Sequence, residues 1–185
     1  MDEQGYNQKE PLAFEIKKDR SVLVLTKTLK DGSVIQRRIG FDDQDPSVVQ
    51  CRTELAHRGA EPKQYQLRVH PEFNTGCVTQ DSRLVSAYVK DNGWTIFNEG
   101  WQAGEGPHRA QMEKAQGGAC AIFNHRDGYG VSITYDPTQF QRLGFGWSDT
   151  YPQASLDLFS KPARLNPGES LAYSYSIGYL ARAPK

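Results

Sequence analysis

Apolar and polar residues alternate along most of this chain, the signature of strands with one buried and one wet face. Leu12, Phe14 and Ile16 alternate first, then the run SVLVLTKTL at 21–29. Asp31-Gly32-Ser33 reads as a hairpin turn into VIQRRIGF, so the first three strands form a meander. After the loop DDQDPS, an inward face is set by Val49, Cys51, Thr53 and Leu55, and residues 57–62 link it to the stretch KQYQLRVHPEFNTG at 63–76. There Tyr65, Leu67 and Val69 take one face and Gln64, Gln66 and Arg68 the other, before a polar elbow at His70-Pro71-Glu72-Phe73-Asn74. A strand that ends in such an elbow gives a loop a fixed starting point.

The second half repeats the theme. LVSAYVK turns through Asp91-Asn92-Gly93 into WTIFNEGW, and ACAIFNH turns through Arg126-Asp127-Gly128 into YGVSITYD, the clearest hairpin in the chain. QAGEGPHR at 102–109 is broken by Gly and Pro and reads as irregular, AQMEKA is too short for a helix, and residues 137–143 read as a connector. GFGWSDTYP, SLDLFS, the turn Asn166-Pro167-Gly168-Glu169 and SLAYSYSIGYLA close the sequence. About a dozen short strands with little or no helix predict an all-β, antiparallel β-sandwich. Residues 1–11 read as a flexible leader, 12–181 as one sandwich domain and 182–185 as a tail.

Composition narrows the function. With 185 residues and 37% hydrophobic residues, one domain with a core is expected. Lys plus Arg and Asp plus Glu balance at 22 each, so no global field draws in nucleic acid or an anionic membrane, and neither is expected as a partner. No apolar run is long enough to span a membrane, and the N-terminal residues lack the apolar core of a signal peptide. Cys51, Cys77 and Cys120 form no CxxC and allow at most one disulfide, which favours a reducing, cytoplasmic compartment unless a signal has been removed. His57, His70, His108 and His125 are scattered, and no metal or other cofactor is called for.

Sugar rings offer apolar faces to aromatic side chains and rims that need amides, carboxylates and cations. Trp94, Trp101, Trp147 and Tyr151 lie at or beside strand ends, with Glu72, Asn74, His108, Arg109 and His125 in neighbouring turns. The expected ligand surface comprises Glu72, Asn74, Trp101, His108, Arg109, His125, Trp147 and Tyr151. Some of these aromatics serve equally well as sandwich core.

The run VVQCRTELAHRGAEPKQYQLRVHPEF, with its His-Pro-x-Phe corner, resembles the galactose-mutarotase-like (aldose 1-epimerase) superfamily. So does the ending YPQASLDLFSKPARLNPGESLAYSYSIGYL, a strand followed by Leu-x-Pro-Gly-Glu and a last strand. Together the matches cover most of residues 12–180, and the resemblance implies the C-terminal portion of that fold. In the family, a His in the elbow acts as acid on the ring oxygen and a Glu near the C-terminus as base on the anomeric hydroxyl. The resemblance therefore implies His70 and Asp157 as the catalytic pair. Asp157 is one methylene shorter than the family's Glu and sits between Leu156 and Leu158, while the family's second His and Arg would fall before residue 12. The Leu165–Glu169 stretch forms a turn for backbone reasons and is given no catalytic role.

Three readings follow. The first is a carbohydrate-binding or accessory β-sandwich of a larger carbohydrate-active protein, with a mono- or oligosaccharide and neighbouring domains as partners. The second is an aldose 1-epimerase-like enzyme with a His/carboxylate pair. The third is a purely structural or interaction domain.

Overall fold

The computed structural model describes residues 13–17, 22–75, 85–96, 108–112, 117–147 and 153–185, with side chains at all of these except 13–17, 108–112 and 147. The described residues form sixteen strands and no helix. The chain divides into two compact units. Unit 1 holds the described residues up to Leu67 together with Ser160–Ser176, and unit 2 holds Arg68–Phe159 together with Ile177–Lys185.

In unit 1 the expected meander is present as β1 (Ala13–Lys17), β2 (Val22–Thr28) and β3 (Val34–Phe41), joined by β4 (Val48–Ala56), all antiparallel. β4 pairs on its far side with the long last strand, β16 (Ser170–Leu180). The predicted inward face of β4 is buried at Cys51, Thr53 and Leu55 and partly buried at Val49. β5 (Lys63–Tyr65) pairs with β15 (Ala163–Leu165). The Asn166–Glu169 turn closes through a Glu169 N–H to Asn166 carbonyl bond of 3.0 Å, and Gly168 supplies φ +90°, the left-handed value that the third position of a type II turn requires.

His57 belongs to this unit's interior. At 1% exposure it is buried, with Nδ1 2.7 Å from the Tyr65 hydroxyl and 3.1 Å from Ser33 Oγ, and Nε2 2.8 Å from the Glu61 carbonyl. Asp31 caps the array. Burial works to raise its carboxyl, but the Ser33 N–H at 3.0 Å and the Lys63 ammonium at 3.2 Å outweigh that and hold it well below the usual carboxylate range.

In unit 2, β8 (Val85–Lys90), β9 (Trp94–Ile96), β11 (Ala119–Asn124) and β12 (Tyr129–Tyr135) form a sheet ordered β12-β11-β8-β9. Both hairpins expected from Asp91-Asn92-Gly93 and Arg126-Asp127-Gly128 are present. The latter is tied by Gly128 N–H to the Asn124 carbonyl at 2.9 Å. Leu180 and Ala183, from the chain's last residues, pack on the Tyr88, Ala121 and Phe123 cluster.

A second sheet of unit 2 contains β10 (His108–Met112), β13 (Phe140–Trp147), β14 (Gln153–Ser160) and β6 (Arg68–Val69), with β7 (Glu72–Asn74) also on β14. Two expectations are corrected here. His108 and Arg109 open a strand instead of lying in an irregular loop, and residues 140–143, expected as a connector, begin β13. In both cases backbone pairing across the sheet supplies partners that a local Gly/Pro reading cannot foresee. Cys51 and Cys120 are buried free thiols, and Cys77 lies outside the described residues.

Candidate functional site

The site grows from the way one proline interrupts an edge strand. β6 pairs with β14 at Val69↔Leu158 and Arg68↔Phe159, and β7 pairs with the same strand at Glu72↔Ser155, Phe73↔Ala154 and Asn74↔Gln153. Between them Pro71 has no N–H to donate, so the ladder breaks, although the Pro71 carbonyl still accepts from Leu156 N–H at 3.2 Å. The register is the same on both sides of the break, which places His70 opposite Asp157. Because side chains alternate, Arg68, His70 and Glu72 share one face with Phe159 and Asp157. Val69, Leu156 and Leu158 take the other face and are fully buried.

Asp157 is the anchor of the row. Its side chain is 8% exposed, yet it is well satisfied: Arg68 grips it with Nε at 3.1 Å from Oδ1 and Nη2 at 2.9 Å from Oδ2. This is a bidentate, charge-assisted pair, the geometry that makes a buried carboxylate tolerable. His70 Nδ1 also contacts Asp157 Oδ1. Arg68 Nη2 lies 2.9 Å from His70 Nδ1 as well, but that nitrogen cannot accept from the guanidinium and donate to the carboxylate at once. The contact with the anion decides the tautomer, with Nδ1–H donating to Asp157. The other nitrogen, Nε2, is 3.0 Å from Glu72 Oε1, so the ring stands between a buried carboxylate and one that is 52% exposed.

The neighbouring strand makes room for this row. A Cβ at Gly144 of β13 would lie 3.2 Å from the Asp157 Cβ and 3.5 Å from the Phe159 ring, so glycine lets the strands seat Asp157 closely. Beside it Arg142 lies 3.9 Å over the Phe159 ring and Arg68 5.6 Å from the same ring, so this aromatic is clasped by two guanidiniums.

Of the residues expected at a site, His70, Asp157 and Glu72 are thus in direct contact. Asn74 is exposed at the end of β7 and, with Phe73, Ile122 and Tyr129, lines a small, open pocket. His125 belongs to a separate cluster in the β11–β12 turn, with Nε2 2.9 Å from Ser86 Oγ and 3.2 Å from the Tyr88 hydroxyl. His108 and Trp147 are register partners on β10 and β13, and Arg109 is opposite Gly146. Trp101 and Tyr151 lie outside the described residues. Sequence reasoning missed Arg68, Arg142 and Phe159. Arg68 was visible as the outward residue before the elbow, but its grip on Asp157 depends on a register spanning the whole chain. Among the described residues, no group of three or more His, Cys, Asp or Glu side chains could hold a metal ion.

No protein-family model and no curated protein matches this sequence. Solved structures do. The chain is similar to a galactose mutarotase-like protein from Lactobacillus casei, with 10% identity, TM-score 0.66, and 91% of this chain covered against 72% of that one. It is also similar to a protein from Escherichia coli K12 provisionally named an aldose 1-epimerase, at 14% identity and TM-score 0.68, covering 92% of this chain and 68% of that one. A TPR-domain containing protein from Parabacteroides distasonis matches at 12% identity and TM-score 0.70, covering 95% of this chain but 36% of the other. The all-β, antiparallel architecture of this chain is the galactose mutarotase-like fold.

Proposed function

We propose that this chain binds carbohydrate on the face of the β13–β14–β6/β7 sheet that carries Arg68, His70 and Glu72. One observation carries the reading: the three polar side chains stand in a row with their heads partly exposed, while a buried carboxylate, Asp157, fixes two of them. Sugar hydroxyls are recognised by planar donors and acceptors already held in place, because ordering them on binding would cost affinity. Phe159 is clasped by Arg142, so its ring is not the apolar platform for a sugar. The match to about a third of a longer TPR-domain containing chain suits an accessory role beside other domains.

A second reading, an epimerase, draws on a specific feature. Asp157 holds Nδ1 of His70 and turns Nε2 outward, as a carboxylate does when it orients a general acid. Ring opening also needs a base on the far side of the sugar, however, and two groups that straddle a pyranose stand about 5 to 8 Å apart. His70 instead touches both Asp157 and Glu72, so neither of these carboxylates is the base in this arrangement. Binding is therefore the better supported reading.

Proton NMR of the chain with free aldoses and short oligosaccharides, read for saturation transfer and anomer exchange in the same tubes, tests both. Saturation transfer that weakens in His70→Ala, with exchange at the buffer rate, is the expected result. Exchange well above that rate and lost in His70→Ala would make the chain an epimerase, and silence in both would leave a structural domain.

A further inference from the structure

Asparagine or aspartate followed by glycine occurs three times in this chain, at Asp31-Gly32, Asn92-Gly93 and Asp127-Gly128, each time in the turn of a hairpin. Such dipeptides carry a latent reaction. The glycine nitrogen can attack the preceding side-chain carbonyl carbon, because no Cβ crowds the approach and the glycine backbone turns freely. The fold decides which of the three pairs is free to react.

Two of them are tied down. Gly32 N–H donates to the Leu29 carbonyl at 3.0 Å, and Asp31 is held by the Ser33 N–H, Lys63 and Tyr65. Gly128 N–H donates to the Asn124 carbonyl at 2.9 Å, and Asp127 accepts from Arg126 and Asn124. Asn92 differs on every count. Among the described residues neither its side chain nor the Gly93 N–H has a hydrogen-bond partner, and the turn is closed instead by Asp91 N–H donating to the Gly93 carbonyl at 2.9 Å. Residues 91–93 are exposed, and a Cβ at Gly93 would meet nothing within 4 Å. Asparagine is also the more labile residue, since its amide nitrogen leaves as ammonia. Other asparagines lack this combination: Asn124 is 1% exposed with its amide on the Thr75 carbonyl and Asp127, Asn74 precedes a β-branched threonine, and Asn166 precedes Pro167, which has no N–H.

We propose that Asn92 is a self-modification site, at which the Gly93 nitrogen closes on the Asn92 side chain to give a succinimide and then aspartate or isoaspartate. The Gly93 nitrogen gives up its proton to base and bonds to Asn92 Cγ, and the Cγ–Nδ2 bond breaks to release ammonia. Water then opens the ring at either carbonyl. Attack at Cγ leaves an ordinary aspartate, whereas attack at the former backbone carbonyl routes the chain through the side chain and adds one methylene to the turn. That extra atom falls where there is little slack. Lys90 pairs with Trp94 directly below the turn, Gly117 runs so close that a Cβ there would overlap the Lys90 carbonyl, and Trp94 packs on the Tyr88, Ala121 and Phe123 cluster. β9 ends its sheet with β8 as its one neighbour among the described strands, so an isoaspartyl turn is relieved by loosening β9.

The test is to incubate the full, folded chain at mildly alkaline pH and map its peptides by mass spectrometry. The peptide containing Asn92 is expected to exchange NH2 for OH before that of any other asparagine, with isoaspartate among its products, distinguished from aspartate by electron-transfer fragmentation. Asp31 and Asp127 should remain ordinary aspartates over the same period. Gly93→Ala, which the open space at that position accommodates, should slow the reaction at least about tenfold. In the aged chain the amides of β9 should exchange hydrogen faster than in the fresh one. Loss of ammonia at Asn92 that is more than about tenfold slower in the folded chain than in the same chain unfolded in guanidinium chloride would mean that the turn protects it, and overturns the proposal. So does a rate at Asn92 no greater than at the other asparagines, and neither result depends on a variant or on whether the chain binds carbohydrate.

Discussion

Two histidines of this chain illustrate what a single side chain can and cannot announce. His57 and His70 each sit near the end of an alternating stretch, and only the proline elbow after His70 sets the two apart in the sequence. In the folded chain His57 is sealed among Ser33, Tyr65 and the Glu61 carbonyl, whereas His70 is about a third exposed between two carboxylates. The elbow did single out His70, Glu72 and Asn74, because proline's missing donor is a local property. Arg68 was not singled out, since its role comes from Asp157, far away in sequence. At this scale the most direct stability test is Asp31. Its carboxyl is held below the ordinary range, so its ionised form stabilises the fold fully above the unfolded carboxylate value near pH 3.9, and that contribution fades as pH falls below it. Asp31→Asn should therefore be less stable than the parent at pH 7, with the gap narrowing as the pH is lowered below 4. A gap in melting temperature that stays constant with pH would show that Asp31 acts through packing.

Among the elements, the stretch at 63–74 differs most from its expected form. One strand was expected up to the elbow, and three short ones are found, although the alternation is right: Tyr65, Leu67 and Val69 are all buried. The break has a chemical cause. Leu67 N–H donates to the Ser160 hydroxyl at 2.9 Å, and Ser160 N–H donates back to the Leu67 carbonyl at 2.9 Å, a side-chain substitute for one rung of the ladder. Periodicity reads faces and is blind to such exchanges, which is why strand faces were legible here and strand boundaries were not. Because Leu67 is 3% exposed, Leu67→Asp buries an unpaired charge and should cost about 3 kcal/mol or more. Denaturant unfolding followed by circular dichroism checks this, and a mutant as stable as the parent would refute the assigned face.

For the molecule as a whole, the sequence made the all-β class evident because its turn signals are local. Asp91-Asn92-Gly93, Arg126-Asp127-Gly128 and Asn166-Pro167-Gly168-Glu169 all turn where expected. The candidate site was only half legible, because its members meet through pairings between distant segments. The last sixteen residues have an unusual place in this arrangement. Ser170–Ser176 belongs to unit 1, beside β4, while Ile177–Lys185 belongs to unit 2, where Leu180 and Ala183 cover Tyr88 and Phe123. A chain cut after Glu169 should lose the cooperative melting transition of both units, and a truncated chain that keeps either transition would contradict that. During synthesis on the ribosome, residues 170–176 emerge well after β4, with which they pair. Until they do, the β2–β3–β4 meander presents one bare row of backbone donors and acceptors, open to any passing strand. Yield in a cell should then depend less on how stable the folded sheet is than on how quickly β16 follows β4.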